Sequence, residues 1–338
     1  MGNSMLDALG REIDYIRISV TDRCNLRCGY CIPKEGVRLC AHGEILCFDE
    51  LERLVRIFGR LGIRFVKLTG GEPLIRRDFM KLAQRIKSIP GIEKLTVTTN
   101  GTFLTQETVP QLLDCFDGIN VSLDALDKTV YEAMAGADAF DRAYGGLLRL
   151  LEENEMRKKP VSVKLNCVLT EQNRTEIVKI AGLARERELA VRFIELMPIG
   201  LGKEFLEKEQ RPLQEAEAKR LIEKAYGPLT PLHEKYGNGP AVYDSLEGFQ
   251  GKIGFISALS HKFCNGCNRI RLTADGYLKT CLQYERGIDL RKLLRSGSTD
   301  EEIKQAVLQA VWNKPSAHAF HEKEISYEEN RCMSEIGG

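Results

Sequence analysis

The loop that decides the fold of this chain is TDRCNLRCGYC, residues 21–31, which places Cys24, Cys28 and Cys31 in a C-x3-C-x2-C spacing. Thiolates bind soft metals, and three of them in one loop can reach a single centre. Iron–sulfur cubes and structural zinc sites usually take four protein ligands. Three thiols on a four-iron cube leave one iron open, which favours a catalytic cluster. A zinc site with a distant fourth ligand and a redox pair of Cys28 and Cys31 are the alternatives.

The cysteine loop follows the first of six β-rich runs, which alternate with helical patterns as far as residue 197. The runs begin at Tyr15, Arg64, Lys94, Gly118, Val161 and Ala190. Apolar residues recur at helical spacing in 51–61, 77–89, 105–115, 140–153 and 173–188. Such alternation predicts a parallel sheet with right-handed crossovers. Six units are too few for a closed eight-stranded barrel, so the expected fold class is an α/β partial, open (β/α)6 barrel; a doubly wound open sheet is the alternative.

The character of the chain changes after about residue 200. A charged helix is predicted over 213–226, and a last helix is predicted to begin with a capping box of Ser298 and Glu301. The predicted domains are a barrel over 1–235 and a C-terminal extension over 236–338 that carries a second cysteine group.

The bulk composition excludes several classes of protein. The 338 residues carry 49 basic and 48 acidic side chains, a net charge of +1 that offers no broad field to nucleic acid. No apolar run approaches the ~18 residues of a membrane span, and the first residues resemble no leader peptide. Eleven cysteines, an odd number, favour metal or redox chemistry over a disulfide framework. We therefore expect a cytoplasmic protein without nucleic-acid or membrane partners.

The second cysteine group, FCNGCNRIRLTADGYLKTC, contains Cys264, Cys267 and Cys281. A C-x2-C pair with later ligands is also typical of zinc sites, in which case His261 or Cys332 is the candidate fourth ligand.

Two arginines lie inside this group, Arg269 and Arg271. On a strand, residues two apart face the same side, so both guanidinium groups can point at one anion. Because guanidinium matches phosphate bidentately, the pair predicts a phosphate-binding face beside a metal site.

Further motifs follow in order along nearly the whole chain: KLTGGEPLIRRD, TTNG, NVSLDA, FIELMPIG and a final MSEIGG. The glycines of LTGGEP allow close approach of the backbone to a ligand. Together with the two cysteine groups, these motifs resemble the radical S-adenosylmethionine (SAM) GTP 3′,8-cyclases, the family that begins molybdenum cofactor biosynthesis.

The resemblance implies two 4Fe–4S clusters, one on Cys24, Cys28 and Cys31 and one on Cys264, Cys267 and Cys281. In the family the first cluster cleaves SAM to a 5′-deoxyadenosyl radical, and the second holds the guanine of GTP. The radical takes hydrogen from C3′ of the ribose, C3′ attacks C8, and reduction gives (8S)-3′,8-cyclo-7,8-dihydroguanosine 5′-triphosphate.

Site residues carry over by position within the matching motifs. The SAM contacts are Tyr30, Gly71, Ser122 and Met197. The GTP contacts are Arg17, Lys67, Thr98, Lys164, Arg269 and Arg271. Arg192 is a further candidate, not from a family motif but because it faces the side of the sheet where the strands end. The resemblance also implies catalytic roles for Arg17 and for Gly337 and Gly338 of the tail.

The sequence departs from the family at Lys67, where arginine is usual and where the bidentate fork is lost. Cys40 and Cys47 are additional thiols, whereas Cys115 and Cys167 are expected to be buried apolar residues.

The resemblance also implies partners: a reductant such as flavodoxin or ferredoxin, and a downstream cyclic pyranopterin monophosphate synthase. A monomer or a homodimer is expected. The alternative functions are another radical SAM enzyme with an auxiliary cluster, such as a peptide-modifying maturase, and a non-catalytic metal or redox module.

Overall fold

A computed structural model describes residues 4–208, 212–234, 236–320 and 329–337. The strands are β1 Tyr15–Ser19, β2 Phe65–Thr69, β3 Lys94–Thr99, β4 Gly118–Ser122, β5 Ser162–Leu169, β6 Ala190–Glu195, β7 Thr230–Leu232, β8 Val242–Ser245, β9 Lys252–Ile256, β10 Arg269–Leu272, β11 Tyr277–Lys279 and β12 Gly287–Asp289. The helices are α1 Phe48–Arg60, α2 Phe79–Lys87, α3 Thr108–Cys115, α4 Lys128–Ala135, α5 Phe140–Glu155, α6 Ile177–Gly182, α7 Leu201–Lys208, α8 Glu215–Tyr226, α9 Leu290–Arg295, α10 Asp300–Trp312 and α11 Met333–Ile336. Within the described residues, the helices are too short or too polar to cross a membrane.

The six predicted strands are confirmed as β1 to β6, and the charged helix is confirmed as α8. The helix predicted to begin at Ser298 is α10; its start was wrong by one residue, and it is not the last helix, because α11 follows it. The N-cap of α10 is Thr299, whose hydroxyl accepts a hydrogen bond from the Glu302 amide, while the Glu302 carboxylate accepts one from the Thr299 amide. Both candidate pairs have the spacing of a capping box, so spacing alone does not choose between them.

The structure divides into two compact units, neither of which is continuous in sequence. The first consists of Met1–Asn25, Glu35–Val97 and Phe263–Gly338, and the second of Leu26–Lys34 and Thr98–Lys262. The two units group residues by their contacts in space and do not test a boundary along the sequence. The division into domains of residues 1–235 and 236–338 therefore stays a prediction.

The first unit is built on a sheet in which β1 lies between β10 and β2, both parallel to it. Strand β3 continues the parallel part beyond β2, and β11 and β12 continue beyond β10 as antiparallel strands. The strand that follows the second cysteine pair therefore lies directly beside the strand that precedes the first cysteine loop.

The second unit has a parallel sheet of β4, β5, β6 and β9, extended by the antiparallel strands β8 and β7. Strands β4 and β6 are buried on both faces and consist mainly of apolar residues, whereas β5 alternates between buried and partly exposed positions. The predicted burial of Cys115 and Cys167 is confirmed.

Candidate functional site

Three cations form a row across the first unit's sheet, and we call Arg271, Arg17 and Lys67 the cationic row. Arg17 of β1 is paired in register with Arg271 of β10 on one side and with Lys67 of β2 on the other. Paired positions on neighbouring strands place their side chains on the same face. Burial, together with the positive charges of Arg17 and Arg269, lowers the pKa of Arg271. Because like charges repel when held this close, the row favours an anionic ligand.

Arg269 lies two residues before Arg271 on β10, so both side chains face the same way, as the sequence predicts. Its guanidinium lies 5.1 Å from the ring centre of Phe263. The two arginines have different surroundings: Arg269 lies over an aromatic ring, whereas Arg271 is paired with Arg17 on the neighbouring strand.

Thr98 and Lys164 are the two predicted GTP contacts outside the row. The hydroxyl oxygen of Thr98 is buried and has no hydrogen-bond partner within the described parts of the chain. The Lys164 ammonium lies 4.5 Å from the ring centre of Tyr236 and donates to the Tyr236 carbonyl at 3.3 Å.

Arg192, the further candidate, is buried in the second unit. Its Nη2 donates to the side-chain oxygens of Asn120 at 2.6 Å and Asn166 at 2.5 Å. These two amides, which the sequence did not single out, fix the direction of the guanidinium.

The second cysteine group lies entirely within the first unit. Cys264 begins the single turn Cys264–Gly266, and the Cys267 amide donates to the Cys264 carbonyl at 3.0 Å. Cys281 follows two residues after the end of β11.

The surroundings of these thiols suit an iron–sulfur cluster. Burial opposes ionisation of Cys267, but the charges of Lys314 and Arg269 outweigh it and lower its pKa to about 7. The His318 amide donates to the Cys264 sulfur at 3.4 Å. Thiolate is the form that binds metal, and nearby donors and cations stabilise it.

No three histidine, cysteine or carboxylate side chains among the described residues have the arrangement of a single-ion site. A four-iron cube is bound through separate irons, so its thiolates need not meet at one point as the ligands of a single ion must. His261, one candidate fourth ligand of a zinc site, lies 3.7 Å from Glu215 in the second unit, whereas Cys264, Cys267 and Cys281 belong to the first. The backbone amide of Cys332, the other candidate, donates to Glu335 at 2.7 Å at the start of α11.

The first cysteine loop enters the second unit at Leu26. The Cys31 amide donates to the Cys28 carbonyl at 2.8 Å and closes the turn. The amides of Arg27 and Gly29 donate to carbonyls at the end of α4, which holds the loop against that helix. Cys24, Cys28 and Cys31 are all partly exposed, as ligands to a cluster reached by a substrate must be.

Tyr30 within this loop is held by a buried carboxylate. Its hydroxyl donates to Asp124 at 2.6 Å, and the other Asp124 oxygen accepts from the Val168 amide at 2.8 Å. Burial, reinforced by the charge of Asp124, raises the pKa of Tyr30 and keeps the hydroxyl a donor. Asp124 was missed as a functional residue, although it stands in the NVSLDA motif, because nothing in the sequence links it to Tyr30.

An Asp124→Asn variant is expected to lower kcat/KM for reductive SAM cleavage about tenfold, because the Tyr30 hydroxyl loses its charged acceptor while the side chain keeps its shape. The measurement is 5′-deoxyadenosine formation with excess reductant. Asp141→Asn, at an exposed carboxylate of α5, is the matched control. Equal rates for the two variants would contradict the role given to Asp124.

Gly70 and Gly71 of LTGGEP are required by close backbone packing, which the sequence did not reveal. A Cβ on Gly71 would lie 2.2 Å from the Arg23 carbonyl oxygen, and one on Gly70 would lie 2.5 Å from that of Thr21. The amides of Gly71 and Glu72 donate to those two carbonyls, each at 2.8 Å. The segment therefore packs backbone to backbone against the start of the cysteine loop.

Ser122 and Met197, the other predicted SAM contacts, lie in the second unit. Ser122 ends β4 and is paired with Asn166. Met197 follows β6, and its carbonyl accepts from the Ile199 amide at 2.8 Å. A Cβ on Gly202 would lie 2.4 Å from that same carbonyl, so a glycine is required there.

The tail brings Gly337 to the cationic row, where its carbonyl accepts from Nη1 of Arg271 at 2.6 Å. Its φ of +80° is in the left-handed region, and a Cβ there would lie 3.1 Å from Ser19 and 3.3 Å from Thr69. The left-handed conformation therefore favours glycine, and a Cβ would also require Ser19 and Thr69 to move by a few tenths of an ångström. Gly338 lies outside the described residues.

A Gly337→Ala variant is expected to lower kcat/KM for GTP about tenfold, since the left-handed conformation costs roughly 1–2 kcal/mol with a Cβ and the added contacts displace the carbonyl from Arg271. Steady-state kinetics measures the effect. Gly145→Ala in α5, where a Cβ meets open space, should leave the rate unchanged. A Gly337→Ala enzyme as active as that control would show that the tail geometry is unimportant.

Two family models match the chain. Residues 18–184 match the Radical SAM superfamily, and residues 189–320 match Molybdenum Cofactor Synthesis C. The junction between the matches falls before β6, earlier than the predicted domain boundary.

Relatives are similar over nearly the whole of this chain. A GTP 3′,8-cyclase of Clostridium perfringens is 41% identical over 335 residues, covering 99% of this chain and 100% of that protein. The molybdenum cofactor biosynthesis protein moc-5 of Caenorhabditis elegans is 41% identical over 316 residues, covering 93% of this chain and 51% of that protein.

Among solved structures, Streptococcus suis SuiB bound to its precursor peptide SuiA is similar with a TM-score of 0.61 and 16% identity, over 92% of this chain and 66% of that one. This likeness concerns the fold, which is the α/β partial, open (β/α)6 barrel expected from the six strand–helix units, with a C-terminal extension. Two GTP 3′,8-cyclases are each 41% identical to this chain over their whole length. Identity at this level over the full length establishes the family. The chain belongs to the GTP 3′,8-cyclase family of radical SAM enzymes.

Proposed function

We propose that this chain converts GTP to (8S)-3′,8-cyclo-7,8-dihydroguanosine 5′-triphosphate and that the cationic row binds the triphosphate. The observation that carries the proposal is the register of Arg271, Arg17 and Lys67, in the same unit as the second cysteine group. A triphosphate is the kind of ligand that compensates three cations on one face. Arg269 adds a fourth cation two residues from Arg271.

The second cysteine group is the proposed site of the cluster that orients guanine. Cys264, Cys267 and Cys281 would hold a 4Fe–4S cluster with one iron left for the base. Lys314 and Arg269 keep the Cys267 thiol easily ionised. Arg269 and Arg271 both lie within this group on β10, so the base and the phosphates would bind at neighbouring places in one unit.

The first cysteine loop is the proposed site of radical formation. When bound at Cys24, Cys28 and Cys31, the cluster and SAM together supply the 5′-deoxyadenosyl radical that takes hydrogen from C3′. Asp124 orients Tyr30, and the Gly71 backbone packs against the start of the loop. Tyr30, Gly71, Ser122 and Met197 are the proposed SAM contacts.

The remaining GTP contacts are proposed on chemical grounds. Thr98 offers a buried hydroxyl without a partner among the described residues, and Lys164 offers a cation beside aromatic rings. Arg17 has the central place in the row, and the Gly337 carbonyl fixes the direction of Arg271. These two groups position the substrate, and Gly338 is proposed to continue that role.

The reaction needs two electrons, one to cleave SAM and one to reduce the cyclised radical, and a flavodoxin or a ferredoxin is the proposed donor of both. A cyclic pyranopterin monophosphate synthase is the proposed consumer of the product. We propose a cytoplasmic location, where GTP and these partners are present, and a monomeric or homodimeric state.

The test is anaerobic incubation of the cluster-loaded protein with GTP, SAM and dithionite. The expected result is a cyclised nucleotide together with 5′-deoxyadenosine and methionine. Formation of 5′-deoxyadenosine with a peptide substrate but never with GTP would favour a maturase and overturn the proposal.

A further inference from the structure

A buried ionic network joins the C-terminal tail to β11. Lys279 of β11 and Glu329 of the tail have fully buried side chains, and the Lys279 ammonium donates to the Glu329 carboxylate. Arg331 donates to both oxygens of that carboxylate, at 2.9 Å and 3.0 Å. We call Lys279, Glu329 and Arg331 the tail anchor.

The tail anchor is supported by neighbouring backbone. The Glu329 amide donates to the Gln283 carbonyl at 2.6 Å, and the Lys279 ammonium also donates to the Tyr284 carbonyl at 2.7 Å. The Arg331 guanidinium lies 5.4 Å from the ring centre of Tyr277 on the same strand. A buried carboxylate so fully bonded holds its own segment of chain firmly, because removing any partner leaves a charge uncompensated.

The anchor lies one strand away from the cationic row. Lys279 is paired with Arg271 across the antiparallel ladder of β11 and β10. From Glu329 the chain continues into α11, buries Ile336 completely and ends its described part at Gly337, whose carbonyl accepts from Arg271. Both ends of the segment 329–337 are thus bonded to paired positions of the same two strands.

We propose that Glu329 is a positioning residue for GTP: by fixing the tail to Lys279 and Arg331, it holds the Gly337 carbonyl against Arg271 and so sets the direction of that guanidinium in the cationic row. The inference rests on the proposed function, since it takes the row to be the triphosphate site. Its consequence is that a residue with no substrate contact controls the affinity for GTP.

The test compares Glu329→Gln and Arg331→Met with the parent protein, each carrying both clusters. Glu329→Gln removes the charge and keeps the shape. Arg331→Met is the milder change, because the Lys279–Glu329 pair remains. It therefore provides a folded variant for the test if Glu329→Gln does not fold. Two readouts are used: hydrogen exchange of the amides from 331 to 337, and the Kd for GTP without SAM or reductant.

The expected result is faster exchange over 331–337 together with a Kd for GTP raised about tenfold in Glu329→Gln and less in Arg331→Met. Glu176→Gln is the matched control. Glu176 is also a buried carboxylate bonded to a lysine, Lys179 at 2.7 Å, and to the amides of Leu126 and Asp127, but it belongs to the second unit. It should destabilise the fold without changing tail exchange or GTP affinity.

An unchanged Kd with faster tail exchange would overturn the proposal, as would equal Kd values for Glu329→Gln and Glu176→Gln. If the parent protein itself does not bind GTP, the proposed function fails instead. Tail exchange identical to the parent in both anchor variants would show that Glu329 does not position the tail.

Discussion

A Cys281→Ala variant is expected to lose the second cluster, so that iron falls from about eight to about four atoms per chain, and to lose GTP conversion by at least ~1,000-fold while it still cleaves SAM. The physical reason is that Cys264, Cys267 and Cys281 form one group in the first unit, whereas Cys28 and Cys31 belong to the turn held against α4 in the second. Removal of one thiol from the later group leaves the hydrogen bonds of the earlier turn intact.

Iron and labile sulfide analysis measures the first part of this prediction, and 5′-deoxyadenosine formation measures the second. Cys47→Ala is the matched control, because Cys47 is an exposed thiol outside both groups. It should retain about eight irons per chain. Loss of both clusters in Cys281→Ala would contradict the assignment of two separate sites.

An Arg17→Gln variant is expected to raise KM for GTP about 100-fold, with a smaller change in SAM cleavage measured without GTP. Arg17 is the middle member of the cationic row, paired with Arg271 on one side and Lys67 on the other. A charge-assisted hydrogen bond to phosphate contributes roughly 1.5–3 kcal/mol, which is about 10- to 150-fold in affinity. The central position of Arg17, with a cation on either side, places the expected effect near the upper end of this range.

Steady-state kinetics with varied GTP at saturating SAM measures this effect. Arg56→Gln is the control, since Arg56 is a half-exposed arginine on α1 paired only with Glu52 among the described residues. A KM for GTP in Arg17→Gln equal to that of the control would show that the cationic row is not the triphosphate site.

The strands and the chemistry of the cysteine groups were predictable from local sequence. The alternation of β-rich runs with apolar stripes identified β1 to β6, and the cysteine spacings identified both three-cysteine groups. These signals are local, because strand propensity, helical spacing and C-x2-C turns each depend on residues close together in the chain. The helices α4, α7, α9 and α11 were missed. None of them is longer than eight residues, so each offers at most two turns in which an apolar spacing can repeat.

The pairings between distant segments were not predictable. No local sequence signal predicts that β10 pairs with β1 as well as with β11. The pairing of β10 with β1 is what brings Arg271 beside Arg17. The same holds for Asp124 with Tyr30 and for Glu329 with Lys279, which are separated by 94 and 50 residues. Gly71 was predicted from resemblance as a ligand contact, but its close approach to Arg23 is a property of the fold.

The most direct test of the central claim uses GTP carrying deuterium at C3′, with the anaerobic, cluster-loaded enzyme, SAM and reductant. We expect one deuterium in the 5′-deoxyadenosine for each molecule of cyclised nucleotide formed, because the radical takes its hydrogen from C3′. Cyclised nucleotide accompanied by 5′-deoxyadenosine without deuterium, or no cyclised nucleotide at all, would contradict the account.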